Sequence, residues 1–194
     1  TLLVEAARMA LGIAPGIGRG FFGETLPFVG TAFADARREA EREAARQEDR
    51  LRALGREGPL PLFGSDVDPD ALRATRDNAA RAGVPGRIRL RQADARVLTP
   101  AGLMKDTGTE SLLILTNPPY GERLLDRAAA RSLYEALGRS FLQGGRPPPG
   151  VRMGILAPAD GFEDAVGAAA FRRRKLYNGM IQCYLYQFQG RGHP

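Results

Sequence analysis

At 194 residues, with 43% hydrophobic and 26% charged residues, the chain has the make-up of one soluble globular domain with a sizeable core and is too short for two large ones. A lone cysteine (Cys183), a lone histidine (His193), no apolar run of about 18 residues and no basic-then-apolar leader exclude a disulfide framework, a cysteine zinc site and a membrane span, and argue against histidine catalysis. The net charge of +6 points to an acidic partner such as nucleic acid, and the expected location is the cytoplasm.

"TLLVEAARMAL" predicts an opening helix with Leu3, Ala6, Ala7 and Ala10 on one face. The following "GIAPGIGRGFFG" alternates Gly16, Gly18 and Gly20, which suggests a phosphate cradle. It follows a helix and not a strand, however, and Phe21 stands where a G-x-G-x-x-G motif has its third glycine, so a flexible surface loop is expected. "ADARREAEREAARQEDRLRAL" predicts a charged helix within an insert over about 31–57; from Asp35 to Glu57 seven acids offset seven arginines. Beyond it, strand and helix alternate. "LPLFGSD" predicts a strand, and "DPDALRATRDNAARAG" a helix with Pro69 in its first turn and Gly83 at its end. "RIRLRQAD" alternates as a strand, and "SLLILTN" has the continuous apolar character of a strand in the middle of a parallel sheet. "RAAARSLYEALGRSFLQGG" predicts a helix with Leu133, Leu137 and Phe141 along one stripe, "VRMGILAPA" a strand, and "GFEDAVGAAA" a short helix. "RRRKLYNGMIQCYLYQF" reads as two β runs joined at Asn178-Gly179, a tight-hairpin signal. The fold expected is a Rossmann-like, doubly wound α/β sheet closed at one edge by an antiparallel hairpin.

In such sheets ligands bind beyond the carboxyl ends of the strands, where three polar signatures fall. In "LFGSDVDPDAL", Asp66, with Asp68 second, is placed to accept hydrogen bonds from the ribose hydroxyls of a nucleotide-like cofactor; the alternative is a carboxylate that favours the next helix N-terminus. In "RQADARVL", Asp94 could accept from an adenine amino group or be an ordinary turn residue. In "LLILTNPPYGERL", Asn117-Pro118-Pro119-Tyr120 ends an apolar strand in a stiff loop poor in donors. The Asn117 side-chain oxygen and the Pro118 carbonyl can both accept from a planar exocyclic amine, leaving its nitrogen lone pair open to an electrophile. Tyr120 can stack on a base, worth about 1–3 kcal/mol, which helps offset extrusion of that base. The alternative is a simple strand-ending turn.

"TNPPY" after an apolar strand, with "GSDVDP" and "QADARVL" before it, resembles the amino-methylating S-adenosylmethionine-dependent methyltransferases. "NPPYGERL", "TLLVEAARMALGIAPG" and "RRRKLYNGMIQCYLYQF" are similar, more narrowly, to bacterial guanine-N2 methyltransferases of 23S rRNA, often labelled N6-adenine DNA methylases and usually carrying an upstream THUMP domain. The resemblance implies a methyltransferase catalytic domain over 1–190 with a tail at 191–194, S-adenosylmethionine as cofactor, and 23S rRNA or its assembly precursor as partner. It implies cofactor contacts from Asp66 to the ribose and from Asp94 with Ala95 to the adenine, with Asp68, Asn117 and Thr1 as further candidates. It also implies target positioning by Asn117, Pro118, Pro119 and Tyr120, with no metal. In the family, "TLLVEAA" directly follows a strand and a glycine-rich loop that embraces the cofactor. The first central strand and that loop are therefore expected to be missing, the sheet to carry a gap, and this chain alone to lack competent cofactor binding.

Three readings stay open: methylation of guanine N2 in rRNA; the same chemistry on adenine N6 in nucleic acid or on a protein glutamine amide; or an inactive RNA-binding remnant. Gly121-Glu122-Arg123-Leu124 favours RNA by likeness alone. The basic stretch Arg172 to Lys175, with no acid from Phe171 onwards, could meet RNA phosphates or merely guard a sheet edge. The oligomeric state is left open.

Overall fold

A computed structural model describes residues 1–120, 127–159 and 161–190, except for the side chain of Asn178. The chain forms two compact units, Thr1–Ala93 and Asp94–Pro194.

The first unit holds helices α1 (Leu2–Ala10), α2 (Gly30–Ala53) and α3 (Pro69–Arg81) and a two-stranded parallel sheet of β1 (Phe63–Asp66) and β2 (Arg89–Gln92). Its core is Val4, Ala7, Leu11, Leu51, Leu60, Ala79 and Val84, so α1 and α3 each contribute a narrow apolar stripe. α2 buries only Leu51. Its exposed face carries pairs three residues apart, such as Arg46 with Glu43 at 2.9 Å and Arg52 with Asp49 at 3.7 Å. The glycine-rich segment is on the surface as expected, but it is tied down. Arg8 donates to the Ala14 carbonyl at 2.9 Å, and Arg37 donates to the Ile17 carbonyl, to the Arg19 carbonyl at 2.9 Å and to Glu24.

The second unit holds α4 (Pro100–Thr107), α5 (Arg127–Phe141), α6 (Phe162–Val166) and a sheet of β3 (Leu112–Thr116), β4 (Val151–Pro158), β5 (Arg172–Asn178) and β6 (Ile181–Gln189) in the order β3-β4-β6-β5. The β3–β4 pair is parallel, and β6 runs antiparallel to both β4 and β5. One core joins α5 and α6 to Met153, Ile155 and Ala157 of β4 and to Tyr186 and Phe188 of β6. At its centre the Phe162 ring lies 5.1 Å from Tyr134, edge-on, and 4.5 Å from Tyr186. Helices α5 and α6 meet so closely at Gly138 that a Cβ there would stand 1.9 Å from the Val166 carbonyl oxygen.

The described strands divide into two sheets, β1 with β2 and β3 with the rest. Two expectations need correction. Among the described residues β3 has one strand neighbour, β4, and not the two of a mid-sheet strand, and Leu113 and Leu115 are 60% and 49% exposed. Its unbroken apolar run suggested two buried faces, whereas packing covers only the Leu112, Ile114 and Thr116 side. The hairpin turn is shifted by one residue: Asn178 still pairs with Ile181, leaving Gly179 and Met180 as the two loop residues. Gly179 at φ +62° in the first central position is the type II′ pattern, which suits the strand twist.

Candidate active site

β1 and β2 lie in parallel register, Asp66 opposite Gln92, and the Ala93 N–H donates to the Asp66 carbonyl at 3.0 Å. Asp66 is thus fixed as the last residue of its strand, with an exposed side chain. Its Oδ1 accepts the Asp68 N–H at 3.0 Å, which shapes the turn into α3. Asp68 is the N-cap of that helix, its side chain accepting from the Asp70 N–H at 2.8 Å, with Pro69 as first helical residue. The two carboxylates therefore have different jobs. Asp68 is committed to the helix, whereas Asp66 keeps acceptor capacity for a pair of donors such as a vicinal diol. Thr1 stands at the N-cap of α1 without a side-chain capping bond, and its carbonyl accepts the Glu5 N–H at 3.0 Å.

Asp94 opens the second unit two residues after β2 and caps a single 3₁₀ turn, Ala95–Val97, accepting from the Arg96 N–H at 2.9 Å. The Arg96 guanidinium also donates to both carboxylate oxygens, from Nη2 to Oδ2 at 2.6 Å and from Nε to Oδ2 at 2.9 Å and to Oδ1 at 3.1 Å. Those hydrogen bonds hold the Asp94 carboxyl below its usual range, so it stays a charged acceptor. An exposed pair of this kind yields readily to a competing donor. Ala95, next to it, is half-buried and small enough to let a flat ring approach.

β3 delivers Asn117 to the end of its strand, exposed, with Pro118 buried behind it. The Tyr120 hydroxyl donates to Asn117 Oδ1 at 2.7 Å, so the amide and the ring the sequence singled out hold one another. An amide oxygen has two lone pairs, and one remains for a further donor. Among the described residues nothing donates to the Pro118 carbonyl. The turn is braced from α5, where the Tyr134 hydroxyl donates to the Pro119 carbonyl at 2.9 Å. Burial first, then the neighbouring Tyr120 and Cys183, push that phenol up to about 12, so Tyr134 remains a neutral donor. The following Gly121-Glu122-Arg123-Leu124 lie outside the described residues.

Within the units, then, the structure joins Asp66 to Asp68 and Asn117 to Tyr120. Sequence reasoning missed Arg96 and Tyr134. Arg96 was legible as the basic residue two positions past a turn-forming Asp. Tyr134 falls on the better helical stripe, Ala130-Tyr134-Leu137-Phe141, with its 4-3-4 spacing, all buried. A cavity of about 460 Å³ in the first unit is lined by Glu5, Arg8, Gly16, Gly18, Arg19 and Arg81 among others, which takes in two of the alternating glycines and neither Asp66 nor Asp68.

Residues 1–187 match the RMKL-like methyltransferase domain. The chain is 36% identical over 192 residues to the ribosomal RNA large subunit methyltransferase K/L of Marinobacter nauticus, covering 97% of this chain and 24% of that protein. It is 35% identical over 186 residues to the K/L enzyme of Vibrio campbellii, covering 95% and 24%. Among solved structures it is similar to a "possible methylase" from Clostridium difficile 630, with TM-score 0.79 and 29% identity over 100% of this chain and 46% of that one. It is also similar to SMU.472, solved in complex with SAH, with TM-score 0.77 and 30% identity over 99% and 46%. The chain thus spans about a quarter of the length of the K/L relatives and less than half of the solved ones. With an Asn-Pro-Pro-Tyr turn closing β3, acids closing the preceding strands, and a match over nearly its whole length, the chain belongs to the RMKL-like methyltransferase domain family.

Proposed function

We propose that residues 1–190 form the carboxy-terminal part of a catalytic domain that, in the full-length protein, transfers a methyl group from S-adenosylmethionine to the exocyclic N2 amine of a guanine in 23S rRNA, in the cytoplasm. The names of the K/L relatives support an rRNA target, and the SAH bound to SMU.472 supports the cofactor. The residues present fit that cofactor: Asp66 offers acceptors for a ribose diol, and Asp94 beside the small Ala95 offers an acceptor for an adenine amine. When bound, S-adenosylmethionine supplies an electrophilic methyl group.

The observation that carries the proposal is the Asn117-Pro118-Pro119-Tyr120 turn. The free lone pair of Asn117 Oδ1 and the Pro118 carbonyl accept the two amine hydrogens. Held this way, the nitrogen rehybridises and its lone pair leaves the ring system to face the methyl group. The methylated nitrogen is then strongly acidic and sheds one proton to solvent, while the Asn117 and Pro118 oxygens keep accepting hydrogen bonds and do not take the proton. Tyr120 stacks on the base and, through its hydroxyl, keeps the Asn117 amide from rotating. Tyr134 fixes the turn from behind, so the acceptors are in place before substrate arrives.

The test incubates the full-length gene product with labelled S-adenosylmethionine and undermethylated 23S rRNA. Label in N2-methylguanosine is expected, and Asn117→Ala should lower transfer by about 100-fold or more with an unchanged melting midpoint. Label in N6-methyladenine or in a protein glutamine would keep the chemistry of the turn and replace the target. No label in any of them would sink the proposal.

A further inference from the structure

We propose that the outer strand of the second unit's sheet, β5, docks the phosphodiester backbone of single-stranded RNA, with Arg172, Arg174 and Lys175 on phosphates and Tyr177 beneath a base. The proposal rests on the RNA reading above and adds a surface remote in sequence from the Asn-Pro-Pro-Tyr turn.

The charges on β5 are arranged unlike those on α2. On α2, cations are matched locally: Arg38 with Asp35, Arg42 with Glu39, Arg46 with Glu39 and Glu43, and Arg52 with Asp49. That helix face is neutralised and has little to offer an anion. β5 carries four consecutive cations, all exposed, and only Arg173 has an acid, Glu163 of α6 at 3.1 Å. Among the described residues no acid pairs with Arg172, Arg174 or Lys175, and no acid occurs anywhere from Phe171 to the end of the chain. Lys175 instead lies over the Tyr177 ring, 5.4 Å from its centroid.

Position sharpens the point. β5 ends the strand order β3-β4-β6-β5, so among the described residues it has one strand neighbour. Side chains alternate along it, with Arg172 and Arg174 on one face of the sheet and Arg173, Lys175 and Tyr177 on the other. Cations therefore flank the open edge from both sides, as a groove that follows a sugar-phosphate chain requires. The strand leads to a hairpin tip where Tyr177 is 66% and Met180 98% exposed. An apolar, partly aromatic tip beside unneutralised cations suits unstacked bases better than a uniform duplex backbone. Guarding an edge against another sheet needs only a charge or two and no aromatic tip.

The full-length gene product, without cofactor, is titrated with a single-stranded 23S rRNA fragment across salt concentrations. Three phosphate contacts account for a slope of log K against log salt of about 2, at about 0.7 per contact on a single strand. The variant Arg172→Glu, Arg174→Glu, Lys175→Glu keeps the edge charged, so an edge guard would leave binding unaltered. Docking predicts a loss of roughly tenfold or more in affinity near 0.1 M salt and a slope smaller by about 2. Arg42→Glu, Arg46→Glu, Arg50→Glu on α2 makes the same change of charge and should leave the slope alone. If the β5 Glu variant fails to fold, Arg172→Thr, Arg174→Thr, Lys175→Thr suits a strand and is read in the same way. Unchanged affinity and slope, or an equal loss in the α2 control, would overturn the proposal. If methyl transfer proceeds and the β5 variant binds normally, docking fails alone. If RNA binding depends on β5 but no guanine is methylated, the function proposal fails and docking stands.

Discussion

Tyr134 shows how much of this site is set by one hydroxyl. It sits in the core of the second unit, edge-on to Phe162, yet spends its only donor on the Pro119 carbonyl of the candidate active-site turn. Tyr134→Phe leaves the packing and removes that bond, so unfolding free energy should fall by about 1 kcal/mol in a urea titration. Methyl transfer should fall several-fold more than cofactor affinity, because the turn is braced and not built by this bond. The phenol also carries a pH signature. Below pH 10 it holds its proton in both folded and unfolded chains. Between pH 10 and about 12 the unfolded chain ionises while the folded one keeps the proton, so stability drains as pH rises. The slope is at most about 1.4 kcal/mol per pH unit, less what solvent screening removes. Tyr134→Phe should lose that slope, and a near-ultraviolet titration of the variant should lack one phenol that ionises above pH 10 in the parent protein.

At the scale of elements, the tightest joint is between α5 and α6. Gly138 faces the Val166 carbonyl with no room for a methyl group, and the contact is to backbone, which cannot rotate aside. Gly138→Ala gains in intrinsic helix propensity, which taken alone would stabilise α5. Overpacking should win, with a net cost of about 1–3 kcal/mol and a melting midpoint lower by several degrees in a thermal scan. Most elements were legible because their signals are local. α3 has its cap at Asp68 and proline at the first position; α5 has its stripe; the closing hairpin has its glycine. α4 went unread although Thr99, Pro100 and Gly108 mark its cap, start and left-handed stop, because its eight residues hold little apolar periodicity. What the local pattern could not express is coverage. β3 looks like a buried strand since leucine and isoleucine carry no information about whether a neighbour is present on either side. The same limit applies to the site: Asn117 and Tyr120 were visible as a motif, but their bond to each other, and the grip of Arg96 on Asp94, depend on backbone geometry that spacing does not encode.

On the scale of the whole molecule, the described strands form one sheet of two and another of four, where a doubly wound sheet lacking its first central strand was expected. β3, which leads into Asn117, is bonded to another strand on one side only among the described residues. The Leu112 N–H donates to the Gly150 carbonyl at 2.9 Å, so by alternation the amides of Leu113 and Leu115 face the open edge. These two protons form a clock. In the chain as it stands they should trade with heavy water far faster than those of Leu112 and Ile114, read by mass spectrometry or NMR. Any segment that comes to lie along that edge will slow them and leave the other pair as an internal standard. Completion of the strand that presents the acceptor amide could thus be timed, residue by residue, without substrate, cofactor or turnover.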